Sequence, residues 1–412
     1  MPARPWDVPA SALPVTIARS TLSRAPHVDT QTDDIREFLA AVLRGESPAW
    51  PANTGPDGAR VLEAARAHHV EILAALQIHR GDHAVADWPT AVRDALLFER
   101  RTRALTEEIM RRELARVLAA LDDAGLRPVL FKGAALAFTH YPDPAARPRL
   151  DADVLIGAAE VDRATRTLED LGYRHPPAAS GRLLAYQKAY ARSDQYGVVH
   201  AVDVHWRISN RQRFARLPSA ADLRAGAVAV PQLGPAARAA DPAWALLIAC
   251  VHRVAHHHGD ERLIWLYDIH LLAEALGPHE REAFLSRAAD CDCVAACERG
   301  LRLAHALFAT AGAPRLLERL ARHPGERDDP PVFAGAGTGA RMVDDLVSDL
   351  RALRSWRDRA RLLREHLVPP ASYMRQKYHG RHPALLPALY AWRAASGAWR
   401  WIGGRRGPDR RP

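Results

Sequence analysis

The stretch from Val129 to Ile156, VLFKGAALAFTHYPDPAARPRLDADVLI, restricts the fold more than any other part of the chain. Near its end, Asp151 and Asp153 flank Ala152 and run into Val154, Leu155 and Ile156. Side chains alternate along a strand, so Asp151 and Asp153 share one face while Leu150, Ala152 and Val154 take the other. Two carboxylates one pleat apart repel, and a hard cation such as Mg²⁺ between their oxygens turns repulsion into chelation. A solvated strand face also carries such pairs by chance, so the pair alone fixes no function. Upstream, Val129, Leu130 and Phe131 run straight into Lys132, Gly133 and Ala134. That reads as a strand ending in a tight turn at the mouth of a helix, where backbone N–H groups can face a phosphate.

A third carboxylate follows in Val198 to Ile208, VVHAVDVHWRI, where Asp203 shares a face with His205 and Arg207. A half-solvated strand gives the same alternation, so this too is open when taken alone. Between the turn and Asp151, the segment Tyr141 to Arg149 holds three prolines and must be a loop. Its Arg147 and Arg149 stand close enough to the carboxylates either to meet phosphate or to neutralise acids.

Strand, glycine turn, paired-Asp strand and a later strand with one more Asp resemble the DNA polymerase β-like nucleotidyltransferases. More closely, the chain resembles an uncharacterised nucleotidyltransferase family with Lys-Gly in the turn. The residues that carry this are Phe131 to Leu136, Tyr141 to Pro144, Arg147-Pro148, Asp151-Ala152-Asp153 and Asp203 to Arg207. Looser likeness passes through His252, Arg262 to Asp268 and Tyr373 to Arg375, so it extends from about Asp34 to Tyr378. Where the superfamily carries Gly-Gly or Gly-Ser, this chain has Gly133-Ala134.

The resemblance implies an α+β fold: a polymerase β-like domain with a small mixed sheet, N-terminal helices before it and a helical domain after it. It further implies that Asp151, Asp153 and Asp203 hold two Mg²⁺ ions, with Mn²⁺ as the alternative. An NTP would lie against Lys132, Gly133, Ala134, Arg147 and Arg149, and its NMP would pass to a hydroxyl acceptor. His205, Arg207, His252 and Asp268 would support the site. Two other functions fit the same residues: a nucleotide- or partner-binding protein without turnover, and an RNA-binding protein that uses its basic end.

At 412 residues with 48% hydrophobic and 25% charged, the chain has a globular balance and room for two or three domains. It has no apolar run of about eighteen residues and no basic start leading into an apolar segment, which points to a cytoplasmic protein. The formal charge of +9 is uneven: from Arg351 onward fifteen Arg or Lys face three acids, a net of +12 that leaves −3 for the rest. Only three lysines occur against fifty-four arginines, so a lysine at position 132 suggests that a compact ammonium is wanted there. Cys291, Cys293 and Cys297 lack the CxxC pairs of zinc sites and read as small buried residues on a helix.

In order, residues 1–32 read as a disordered leader rich in Pro, Ser, Thr and Arg, and 33–105 as a helical region. Periodicity there predicts helices from Asp33 or Asp34 to Leu43, from Val61 to Leu76 with His68 and His69 on its surface, and from Thr90 to Arg103. The catalytic domain is expected over 106–235. It begins with a helix from Thr106 to Ala124 capped by Gly125, and includes a helix from Val161 to Leu171 and strands over Leu183–Tyr190 and Val198–Ile208.

A helical domain follows over 236–370, opening at the N-cap Asp241-Pro242. Its His252 and His256 lie one turn apart with His257, His258 and Asp260 nearby, the makings of a His/Asp hydrolase site but without the intervening acid of HExxH. Asp268 sits on an apolar stripe and needs a partner, with His252, His256 or Arg207 as candidates. The last part, 371–412, mixes Leu, Trp and Tyr with arginines. It can dock on the chain's own core, lie on an anionic membrane or grip RNA.

Overall fold

The computed structural model describes residues 30–52, 54–80, 88–176, 181–257, 261–323, 342–378 and 385–393. The expected leader lies outside these, apart from its last residues, which already belong to the first helix. That helix, α1 (Thr30–Leu43), starts a turn earlier than the apolar stripe suggested.

The expected single helix over Val61 to Leu76 is two, α2 (Ala59–Ala67) and α3 (Glu71–Arg80). Between them the Val70 amide bonds back to Ala65 and the His69 amide to Arg66, the Schellman closure of a helix C-terminus. His69 fills the left-handed position normally given to glycine (φ 56°), and fully buried Val70 pins the turn from inside. This corner is not the exposed surface expected for the two histidines. Burial first, then nearby guanidinium groups, push both imidazoles down to about 4. Arg262 Nη1 lies 2.8 Å from His69 Nε2.

Burial also lifts the Glu71 carboxyl to about 7. Its folded value exceeds the unfolded one, so the stability this group contributes is complete below about pH 4.5 and is lost as pH rises through about 7. Glu71→Gln is therefore expected to match the wild type near pH 4.5 and to exceed it at pH 8 by up to about 3 kcal/mol. Urea melts at the two pH values measure this, and a gap that stays constant with pH would refute it.

The two helices expected on either side of Ala104 and Leu105 are one. α4 (Thr90–Asp123) runs 34 residues, since no glycine or proline interrupts it. Its first half, through Val92 and Leu96, enters a large helical core. Its second half, through Leu114, Val117, Leu118 and Leu121, enters a smaller core beneath the sheet.

The sheet begins with β1 (Val129–Phe131), followed at once by α5 (Lys132–Thr139), then β2 (Ala152–Leu155) and α6 (Val161–Asp170). Next come β3 (Gln187–Ser193), later in the chain than expected, and β4 (Val199–His205). α7 (Ala220–Ala225), β5 (Val228–Ala229) and β6 (Arg238–Ala239) complete it. The six strands lie in the order β3-β4-β2-β1-β6-β5. β1 is antiparallel to β2 and β3 to β4, whereas β2 and β4 are parallel, with Asp153 abreast of Asp203. The architecture is thus α+β with a mixed sheet, as the sequence led us to expect.

Beyond the sheet come α8 (Pro242–His257), α9 (Leu263–Ala275), α10 (Pro278–Asp290), α11 (Val294–Phe308) and α12 (Ala313–Ala321). They share one apolar core with α1, α2, α3 and the first half of α4. All four cysteines are buried and free. Next come α13 (Met342–Ala352), α14 (Trp356–Leu367) and α15 (Ala371–Lys377). The first of them docks on the chain through carboxylates. Asp345 pairs with Arg211 at 2.6 Å, and Asp349 accepts the Gln212 amide at 2.7 Å. Among the described residues no helix is long and apolar enough to cross a membrane.

Candidate active site

Parallel pairing of β2 with β4 closes a crossover of about fifty residues and brings two distant acids to the same rung. Asp203 and His205 are two residues apart on β4, so both face the side on which Asp153 projects. One ligand atom each from Asp153, Asp203 and His205 lies within 4.8 Å of the others, the one such set among the described residues. Asp151 precedes the first residue of β2 and stands at the margin of this set. It is near enough that Asp153 raises its pKa, but it does not belong to the compact trio. His205, expected only in support, takes the third place.

Asp153 is the pivot. Its Oδ1 accepts from Lys132 Nζ at 2.6 Å and faces His205 Nε2 at 2.8 Å. Burial works to raise its pKa, but the Lys132 ammonium and the His205 hydrogen bond prevail and hold the carboxyl far below the usual range. His205 is fully buried, and burial together with Lys132 lowers its pKa and keeps the ring neutral.

The other two acids behave in the opposite way. Burial and the neighbouring carboxylates push Asp151 up to about 6 and Asp203 up to about 7. Three acids against one lysine leave an excess of negative charge that resists full ionisation. A hard divalent cation would supply the missing charge, and the carboxylate oxygens suit Mg²⁺ or Mn²⁺.

Lys132 reaches Asp153 because of its backbone. It is Lys132, not Gly133, that adopts the left-handed conformation (φ 57°) in the turn, at a cost of roughly 1–2 kcal/mol. The atoms nearest a Cβ on Gly133 would be those of the Arg147 guanidinium, at ordinary contact distances of 3.5–3.6 Å. No side chain caps the first turn of α5, which leaves the early N–H groups, those of Gly133 and Ala134 among them, for another partner.

Of the two options for the loop arginines, the structure takes neutralisation. Arg147 Nε and Nη2 both donate to Asp268, at 2.8 and 2.7 Å, and the Tyr141 hydroxyl donates to the same carboxylate at 2.6 Å. Asp268 thus finds Arg147 and Tyr141; among the described residues neither His252 nor Arg207 bonds to it, and the His256 side chain lies outside them. Only contacts across about 120 residues could reveal this, and Tyr141 gave no local signal. Arg149 grips Glu107 in the middle of α4 with two bonds, at 2.8 and 2.6 Å, both partners buried.

Arg207 stacks over the Tyr186 ring at 4.0 Å. Gln187, which sequence reasoning missed, donates to Asp203 Oδ2 at 3.2 Å. Its pairing depends on the β3–β4 register and has no local signature.

His252 does not join Asp268. With Lys132, Leu136, Arg147, Trp265 and Asp268 it lines a cavity of about 20 Å³ between α5, α8 and α9, large enough for about one water molecule. The expected cluster at His256, His257, His258 and Asp260 falls on side chains outside the described residues. Residues 54–309 match the model of a family described as uncharacterised nucleotidyltransferase. No protein of curated function matches the chain.

Proposed function

We propose that this chain, which belongs to the uncharacterised nucleotidyltransferase family, moves NMP from an NTP to a hydroxyl acceptor and releases pyrophosphate. The observation that carries the reading is Asp153 abreast of Asp203 on parallel strands, with Lys132 already at the first of them. Asp153 and Asp203, with His205 or Asp151 completing the set, would hold Mg²⁺. When bound, the metal would neutralise the acids, draw phosphate oxygens to them and acidify an acceptor hydroxyl.

The remaining work falls to this chain's own groups. Lys132 and the uncapped N–H groups at Gly133 and Ala134 face the phosphates. The Asp268 cavity is too small for a nucleotide, so the nucleotide lies on the side where Asp151 and Asp203 are partly exposed. Arg147 and Arg149, engaged with Asp268 and Glu107, position the loop that delivers Asp151. The acceptor oxygen bonds to the α-phosphorus, the bond to the β-phosphate oxygen breaks, pyrophosphate leaves and the hydroxyl proton is released.

The test is incubation with each labelled NTP, Mg²⁺ and lysate fractions, reading both pyrophosphate and transferred label. The expected result is metal-dependent release by the wild type and none by folded Asp203→Asn. NTP binding without turnover in any fraction would replace this function with simple nucleotide binding.

A further inference from the structure

The exposed large apolar side chains are unevenly spread over the described residues. Trp356, Leu363, Leu367, Val368, Leu385 and Trp392 all lie in the last part of the chain. Four residues of α14, Trp356, Ala360, Leu363 and Leu367, follow the i, i+4, i+7, i+11 spacing that puts them in one line on a helix. All four are exposed.

The opposite face of α14 is already in use. Leu362 is buried, and the Glu365 carboxylate accepts the backbone N–H groups of Arg182 and Leu183 at 3.0 and 2.9 Å. The body of the protein thus holds the helix by one side and leaves the apolar line turned outward. Arg357, Arg361 and Arg364 border that line on one side and Arg359 on the other. The segment 385–393 is tied to the end of α14 by the Tyr390 hydroxyl on Pro369 O at 2.5 Å and by Arg393 on His366 O at 3.1 Å. Its Leu385 and Trp392 are exposed as well.

We propose that α14 is an interfacial helix that seats the protein on an anionic lipid surface. Its apolar line enters the acyl boundary, and the flanking arginines meet the headgroups. An apolar line between basic borders, on a helix anchored from behind, is the arrangement such a surface takes. RNA attracts the same charge but rewards planar stacking in a groove. Here the line is mostly aliphatic, and it stands on the outer face of a helix.

The test is cosedimentation of the full chain with phosphatidylcholine vesicles, with and without 30% phosphatidylglycerol, at low and at 0.5 M salt. Leu363→Ser/Leu367→Ser serves as the variant, since it removes apolar surface and leaves every charge in place. The wild type is expected to bind only the anionic vesicles, more weakly in high salt. The variant should lose about tenfold or more in affinity while keeping the wild-type circular dichroism and melting temperature.

Three results would overturn the proposal. One is no binding to anionic vesicles. Another is equal binding by the variant, which would assign the attraction to the basic tail alone. The third is capture of a single-stranded RNA oligonucleotide in preference to the vesicles, which would make the surface a nucleic-acid site.

Discussion

Asp153→Asn is expected to remove transfer activity by at least about 10²–10³-fold and to destabilise the fold by about 3–5 kcal/mol. The second effect separates this acid from its neighbours. Asp153 is the counter-ion of a Lys132 ammonium that is itself mostly buried, and it also holds His205. An amide in its place leaves that ammonium without a compensating charge. Repulsion between the paired carboxylates by itself predicts the opposite sign for both Asp151→Asn and Asp153→Asn, a fold left intact or stabilised.

The structure keeps that expectation for Asp151→Asn and extends it to Asp203→Asn. Their carboxyls sit at about 6 and about 7 because each already resists ionisation beside the others. Urea melts at pH 7.5 beside the transfer assay test the contrast. Should Asp153→Asn melt with the wild type, or Asp203→Asn keep full activity, the assignment of these acids fails.

The second large effect lies at Arg147. Its bidentate bond to Asp268, with Tyr141 on the same carboxylate, joins the loop before β2 to α9 across a fully buried contact. Arg147→Met strands a buried carboxylate and is expected to cost about 3–5 kcal/mol. Arg147→Met/Asp268→Leu removes both charges and should recover most of that loss, because an ion pair replaced whole by apolar groups is often close to neutral. The midpoints of the two single variants and the double variant form a cycle. Strict additivity in that cycle would show that the pair is not coupled.

What could be read in advance follows the range of the interaction. Alternation along one strand was enough to put Asp203 and His205 on a common face, and the Pro and Gly punctuation was enough to find β1, α5 and the loop. The family resemblance added the convergence of Asp153 with Asp203. The place of His205 in the compact trio, which the sequence put only in support, was not legible. Asp151 lies just outside the strand ladder, where alternation no longer governs its direction, while His205 lies inside it.

The helix errors have the same origin. Nothing in His68-His69-Val70 marks a stop, since the left-handed turn there depends on what packs around Val70. Conversely, the ranges Thr90 to Arg103 and Thr106 to Ala124 were expected apart, whereas one helix carries both into different cores. The destinations of Arg147 and Arg149 could not be found locally, because Asp268 and Glu107 lie far away along the chain.

That change of core within α4 has a mechanical meaning. One uninterrupted rod of 34 residues, roughly 50 Å long, has each end embedded in a different hydrophobic mass. At its waist it carries Glu107, the seat of Arg149. A rod clamped at both ends holds whatever rests on its middle, so the loop leading to Asp151 takes its alignment from segments far outside the sheet. The proposed catalytic unit therefore reaches beyond its strands: the supporting beam and both of its abutments belong to it.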